Sequence, residues 1–139
     1  MKTTDSGPRE SASPAFEPRE WRLADLAWPD VQRYLSDRQT IVIPHGATEQ
    51  HGRSCPIGTD AFLAKAMADD VGSRCGVLVA PTIPYGDSLA LSEFPGTVSL
   101  RPSTFGLVIR DIVHSLYLHG FRRFLLLGAH WDNGFPAMS

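Results

Sequence analysis

Among the residues of types that hold metal ions, five stand out by their spacing: Glu49, His51, Asp60, His130 and Asp132. Four of them form two short carboxylate–imidazole pairs, Glu49-Gln50-His51 and His130-Trp131-Asp132, and Asp60 follows His51 by nine positions. On an extended backbone, residues i and i+2 point to the same side. Two such pairs on neighbouring strands can therefore converge on one point. Mixed carboxylate and imidazole donors suit Zn²⁺ or Mn²⁺ in a hydrolytic site.

The elements that must position these groups alternate between strand and helix. Residues 21–35 read as helical with an interruption at Pro29, which suits the first turn of a helix running to about Asp37. Residues 39–45 (Gln-Thr-Ile-Val-Ile-Pro-His) form a β-branched run typical of a buried strand. Thr59 and Asp60 open a helix to about Arg74, with Phe62, Leu63, Ala66, Met67 and Val71 on its apolar face. Residues 76–80 read as a second strand, and 81–96, with three Pro and two Gly, as mostly loop. After a short extended piece at 97–100, Ser103 is expected to cap a long helix. Its apolar residues recur at Phe105, Val108, Ile109, Ile112, Val113 and Leu116, and Gly120 suits its C-terminal end. Residues 123–128 (Arg-Phe-Leu-Leu-Leu-Gly) read as a third strand leading into His130.

This order predicts an α/β fold with a mostly parallel sheet covered on both faces. Ligands in such sheets bind beyond the carboxyl ends of the strands. Both ligand pairs are expected there, directly after apolar strands.

Bulk properties narrow the function classes. The 139 residues fit one domain, with 42% hydrophobic and 20% charged residues, an ordinary globular balance. A formal net charge of −2 leaves no electrostatic footprint for nucleic acid or an anionic membrane. No apolar run approaches the length of a membrane span. The first residues, Met1-Lys2-Thr3-Thr4-Asp5, lack the apolar core of a secretory signal. Cys55 and Cys75 have no CxxC spacing and read as reduced thiols of a cytoplasmic protein. Residues 1–19, rich in Ser, Pro, Thr, Glu and Arg, read as a flexible tail before a domain at 20–139. Neither GxGxxG nor GxxxxGK[ST] follows a strand, which argues against a nucleotide-binding domain.

Four blocks in order resemble the signature of the creatininase (creatinine amidohydrolase) family. They are Pro44-His45-Gly46-Ala47-Thr48-Glu49-Gln50-His51-Gly52 with Pro56-Ile57-Gly58-Thr59-Asp60; Phe94-Pro95-Gly96-Thr97-Val98-Ser99-Leu100-Arg101-Pro102; His119-Gly120-Phe121-Arg122-Arg123; and Gly128-Ala129-His130-Trp131-Asp132-Asn133-Gly134. The resemblance implies a three-layer α/β/α fold and a two-metal amidohydrolase using Zn²⁺ and/or Mn²⁺. Such an enzyme hydrolyses a linear or cyclic amide at a C–N bond other than a peptide bond. It implies that Glu49, Asp60 and His130 hold one metal. His51, Asp60 and Asp132 hold the other, with Asp60 bridging. It also implies a small-molecule amide substrate and a homo-oligomer.

Departures from the family pattern qualify this expectation. Family members run well over two hundred residues, so the chain is expected to be C-terminally truncated and its sheet incomplete. The alternative is therefore a catalytically inactive, metal-binding relative. Creatininase itself carries glutamate where this chain has Asp132. Leu91 stands about where relatives carry a histidine, so the substrate need not be creatinine. His45 reads as a satisfied strand-end histidine, Cys55 as a thiol outside the ligand set, and Trp131 as pocket lining or cover. His114 is expected to face solvent or pack on the long helix, and His119 to sit at that helix's C-terminus.

Overall fold

A β-branched run without polar interruption has to be buried on both faces, and this one forms the central strand, β1 (Thr40–His45). The structure, a computed structural model, describes residues 20–131. The expected tail at 1–19 and residues 132–139, including Asp132, lie outside the described residues. The elements are α1 (Trp28–Asp37), β1, α2 (Thr59–Cys75), β2 (Leu78–Val79), α3 (Pro102–Leu118) and β3 (Arg123–Gly128). The strands form one parallel sheet in the order β2-β1-β3. Ile41 pairs with Leu78 and Phe124, and His45 with Gly128.

The sheet steps from β1 to β2 on one side, then crosses back to β3 on the other. Crossovers between parallel strands are right-handed, so steps in opposite directions put their helices on opposite faces. The core divides accordingly. Ile41, Ile43, Leu78, Tyr34 and Phe121 are buried on one face, packed by Leu35 of α1 and by Ile112, Val113 and Leu116 of α3. Val42 and Val79 face the other way, against Ala68 and Val71 of α2. Successive strand residues alternate between these clusters, as a pleated strand requires. The result is the α/β/α layering expected from the sequence.

Tyr34 ties helix to sheet. Its hydroxyl donates to the Thr40 carbonyl at 2.6 Å, and its ring lies 6.2 Å from that of Phe121. No helix among the described residues is long and apolar enough to cross a membrane.

Boundaries differ from the sequence expectation in three places. The second strand is only Leu78–Val79, because α2 runs to Cys75 and Gly76 takes the left-handed conformation that ends it. The long helix is not capped by Ser103. Pro102 occupies its first turn, where a missing N–H costs nothing, and the residue before it, Arg101, makes no side-chain cap. The segment at 21–35 splits into a 3-10 turn at Leu23–Asp25 and α1.

Candidate metal centre

β1 ends at His45, and the chain then has to turn sharply so that α2 can begin beside the strand end. Gly46 permits this: a Cβ there would stand 2.5 Å from the Ala61 nitrogen and 2.6 Å from the Asp60 carbonyl carbon. The close approach carries Asp60, in the first turn of α2, to the carboxyl end of the sheet. A carboxylate is favoured at that helix end by the backbone dipole. Glu49 and His51 are not on the strand, as the pair spacing suggested, but in the loop after it. The loop is tied down by Glu49 N–H donating to the Ile57 carbonyl at 2.8 Å and by Val98 N–H donating to Thr48 at 2.9 Å.

Glu49, Asp60 and His130 come together, each offering one donor atom within 4.8 Å of the others. Glu49 and Asp60 are buried and His130 is partly buried. His130 Nδ1 lies 2.9 Å from Asp60 Oδ2 and 3.4 Å from Glu49 Oε1. His51 stands on the other side of the same carboxylate, its Nε2 2.9 Å from Asp60 Oδ1. Asp60 thus faces one imidazole with each of its oxygens. Asp132 falls outside the described residues. The group opens into a cleft of about 480 Å³, with Ala129 and the almost fully exposed Trp131 beside it.

The remaining ring nitrogens decide the chemistry of this cluster. His130 Nε2 lies 2.6 Å from the carbonyl of Asp87. Carbonyls and ionised carboxylates both only accept, so a neutral ring between them can donate to one side alone; with a cation on the carboxylate side, Nε2 carries the hydrogen to Asp87 and Nδ1 presents its lone pair. His51 Nδ1 lies 3.1 Å from the Glu49 carbonyl, so with a cation on the Asp60 side Nδ1 carries the hydrogen and Nε2 presents its lone pair. Lone pairs facing carboxylate oxygens repel unless a cation sits between them. Glu49 Oε2, buried and without a hydrogen-bond partner, adds another uncompensated acceptor. The donor set therefore fits one or more divalent cations. Each histidine is held from behind by a backbone carbonyl, an arrangement typical of imidazole ligands.

A proton also answers this demand. Burial alone would lower the pKa of His51, but its bonds to the Glu49 carbonyl and the Asp60 carboxylate outweigh burial and raise it. His45 behaves oppositely. It lies buried beneath the site, with Phe105 5.5 Å from its ring and Gly128 opposite, where a Cβ would stand 2.6 Å from the imidazole. Burial, and then the neighbouring His130, lower its pKa. Cys55 is an exposed thiol outside the donor cluster, and His114 and His119 are exposed on and just after α3.

Sequence reasoning missed the Asp87 carbonyl. A backbone acceptor leaves no signature in residue type, and it reaches His130 across 43 positions.

Comparison with known proteins bears on the same region. The family model described as creatinine amidohydrolase matches residues 24–138. The chain is 33% identical over 117 residues to the creatinine amidohydrolase of Pseudomonas putida, covering 80% of this chain and 45% of that protein. It is 34% identical over 106 residues to the 3-dehydro-scyllo-inosose hydrolase of Thermotoga maritima, covering 76% and 34%. A crystal structure of creatininase superposes with a TM-score of 0.80 at 30% identity, covering 84% of this chain and 48% of that one. Zn–Zn and Mn forms of creatininase superpose with TM-scores of 0.78 and 0.80. The chain spans about half the length, or less, of the relatives it matches. Matched over most of its length in both sequence and fold, this chain belongs to the creatininase family.

Proposed function

We propose that the chain forms the metal-holding part of a metal-dependent amidohydrolase of the creatininase type, acting on a linear or cyclic amide. The observation that carries this reading is the pair of imidazole nitrogens, His130 Nδ1 and His51 Nε2, each 2.9 Å from a different oxygen of Asp60, with a backbone carbonyl behind each ring. Glu49, Asp60 and His130 would hold one cation. His51 and Asp60 would hold the second, completed by Asp132. Zn²⁺ or Mn²⁺ matches these oxygen and imidazole donors, and both occur in related creatininase structures. When bound, such cations supply Lewis acidity, acidifying water and polarising a carbonyl.

The chain's own residues supply position and proton balance. The Asp87 and Glu49 carbonyls lie behind the two rings, where they would accept the ring hydrogens and leave the facing nitrogens free for the cations. Glu49 Oε2 has no hydrogen-bond partner and is the buried oxygen open to a proton or a cation. Hydrolysis forms a C–O bond from water, breaks the C–N bond and delivers a proton to the leaving nitrogen. The open cleft beside Trp131 has room for a small amide. The exposed, unbridged thiols of Cys55 and Cys75 support placement in a reducing cytoplasm. Assembly as a homo-oligomer belongs to the same reading.

The test is hydrolysis of a panel of linear and cyclic amides by the Zn²⁺- or Mn²⁺-loaded chain. Turnover should fall at least about a hundredfold in Glu49→Ala and His51→Ala, the scale lost when a catalytic electrostatic group is removed. Metal binding without turnover on any amide would instead support an inactive, metal-binding relative. Turnover unchanged by both substitutions would defeat the proposal.

A further inference from the structure

The segment Thr97-Val98-Ser99 lies between the two loops that carry the histidine-holding carbonyls. Thr48 bridges Val98 on one side, and Gly86 bridges Ser99 on the other. Val98 N–H donates to the Thr48 carbonyl, and Leu100 N–H donates to the Gly86 carbonyl at 2.8 Å. Its two hydroxyls make matching contacts. Gln50 N–H donates to Thr97 Oγ1 at 3.2 Å. Ser88 N–H donates to Ser99 Oγ at 2.9 Å.

These two N–H groups belong to the peptide units whose carbonyls hold the histidines. The Glu49 carbonyl and Gln50 N–H share one peptide plane, and the Asp87 carbonyl and Ser88 N–H share the other. A trans peptide is planar, with its N–H and C=O pointing in opposite directions. A hydroxyl that fixes the N–H therefore fixes the direction of the carbonyl on the far side. It also makes that carbonyl a better acceptor, because hydrogen bonds in a chain polarise one another. Around Ser99 the clamp is doubled, since its hydroxyl lies 3.3 Å from Asp87 Oδ1, which also accepts Leu89 N–H at 3.2 Å.

We infer that Thr97 and Ser99 are positioning residues, one hydroxyl for each histidine, each acting through a single peptide unit to set which ring nitrogen is bare. The inference rests on the metal-centre reading for its consequence, since the bare nitrogens are the proposed ligand atoms. The tautomers themselves can be observed without metal. Two residues separated by one valine thus set two histidines in opposite tautomers, Nδ1–H in His51 and Nε2–H in His130.

The experiment is ¹⁵N NMR of the histidine rings in the metal-free full chain, at a pH where the rings are neutral, followed by titration with Zn²⁺ and with Mn²⁺. The wild type should show the two opposite tautomers. Thr97→Val should turn His51 alone into a tautomer mixture, and Ser99→Ala should do so for His130 alone. Each should weaken metal uptake about tenfold, the usual loss on removing an outer-shell partner. Thr97→Ser and Ser99→Thr, which keep the hydroxyl, should restore both readouts. Any other pair of tautomers in the wild-type rings, including the reversed pair in which both rings donate to Asp60, would overturn the inference whether or not the variants fold. So would lowered stability in Thr97→Val and Ser99→Ala with tautomers and uptake unchanged, which is what a merely structural role predicts. If the wild type shows the stated tautomers but takes up neither metal, the metal reading falls and the positioning role stands.

Discussion

β1 and β3 are adjacent parallel strands of equal length, yet they carry the two sides of the candidate centre in different ways. Five of the six β1 residues are buried, whereas β3 lies at the edge of the described sheet and has only exposed and partly buried residues. After β1, the contacts are local: His51 reaches Glu49 two positions back and Asp60 nine positions on. After β3, His130 reaches Asp87 across 43 positions and Asp60 across 70. One side of the centre is thus built by a loop and a helix start that fold together. The other is brought to it only when the whole sheet assembles. A centre divided in this way couples its geometry to tertiary packing through His130, while Glu49, His51 and Asp60 depend on a short stretch of chain.

Substitutions that treat the two strands alike should break the comparison if it is wrong. Ile43→Ala in β1 removes a fully buried side chain and should cost about 2–5 kcal/mol in urea unfolding. Gly46→Ala should come next, at about 1–3 kcal/mol, because the new methyl meets the backbone at the start of α2. Metal titration should show the accompanying loss of affinity, since Asp60 moves with that backbone. Leu125→Lys in β3, at a residue 48% exposed, should change stability by no more than about 0.5 kcal/mol. A loss at Leu125 as large as that at Ile43 would mean that the edge of β3 is covered by something beyond the described residues.

The smallest effect concerns an ion pair between the segment before α1 and the body of α2, away from both strands. Arg22 Nε and Nη2 each lie 3.0 Å from an Asp69 oxygen, and Lys65 also reaches Asp69. The Arg22 hydrogen bond, and then that of Lys65, outweigh burial and hold the Asp69 carboxyl below its ordinary range. A depressed carboxyl pKa contributes stability above the unfolded-state value, and that contribution is lost as pH falls through the folded value. The Tm advantage of the wild type over Asp69→Asn should therefore be present near neutrality and close in acid below the ordinary carboxylate range. A gap unchanged in acid would show that the pair contributes through shape alone.

The sequence made the strands and helices legible where one period dominates. Residues 39–45 and 123–128 are apolar enough to be strands, and the recurrence of Phe105, Ile109, Ile112 and Leu116 marks α3. β2 was overextended because Gly76 and Val77 look like strand residues, whereas Gly76 in fact ends the preceding helix. Placement of carboxylate and imidazole residues beyond the strand ends was also legible, since it follows from parallel-sheet topology. The orientation of the rings was not. It depends on the backbone carbonyls of Glu49 and Asp87 and on the hydroxyls of Thr97 and Ser99, contacts with no residue-type periodicity.

The central claim is that Asp60 is the carboxylate shared by two cation positions. The most direct measurement is the Zn²⁺ and Mn²⁺ stoichiometry of the folded wild type beside that of Asp60→Asn, which keeps shape and removes charge. The wild type should take up about two equivalents, and Asp60→Asn should lose uptake at both positions, since each would rely on one oxygen of that carboxylate. Uptake of no more than about one equivalent by the folded wild type, or undiminished uptake by Asp60→Asn, would contradict it.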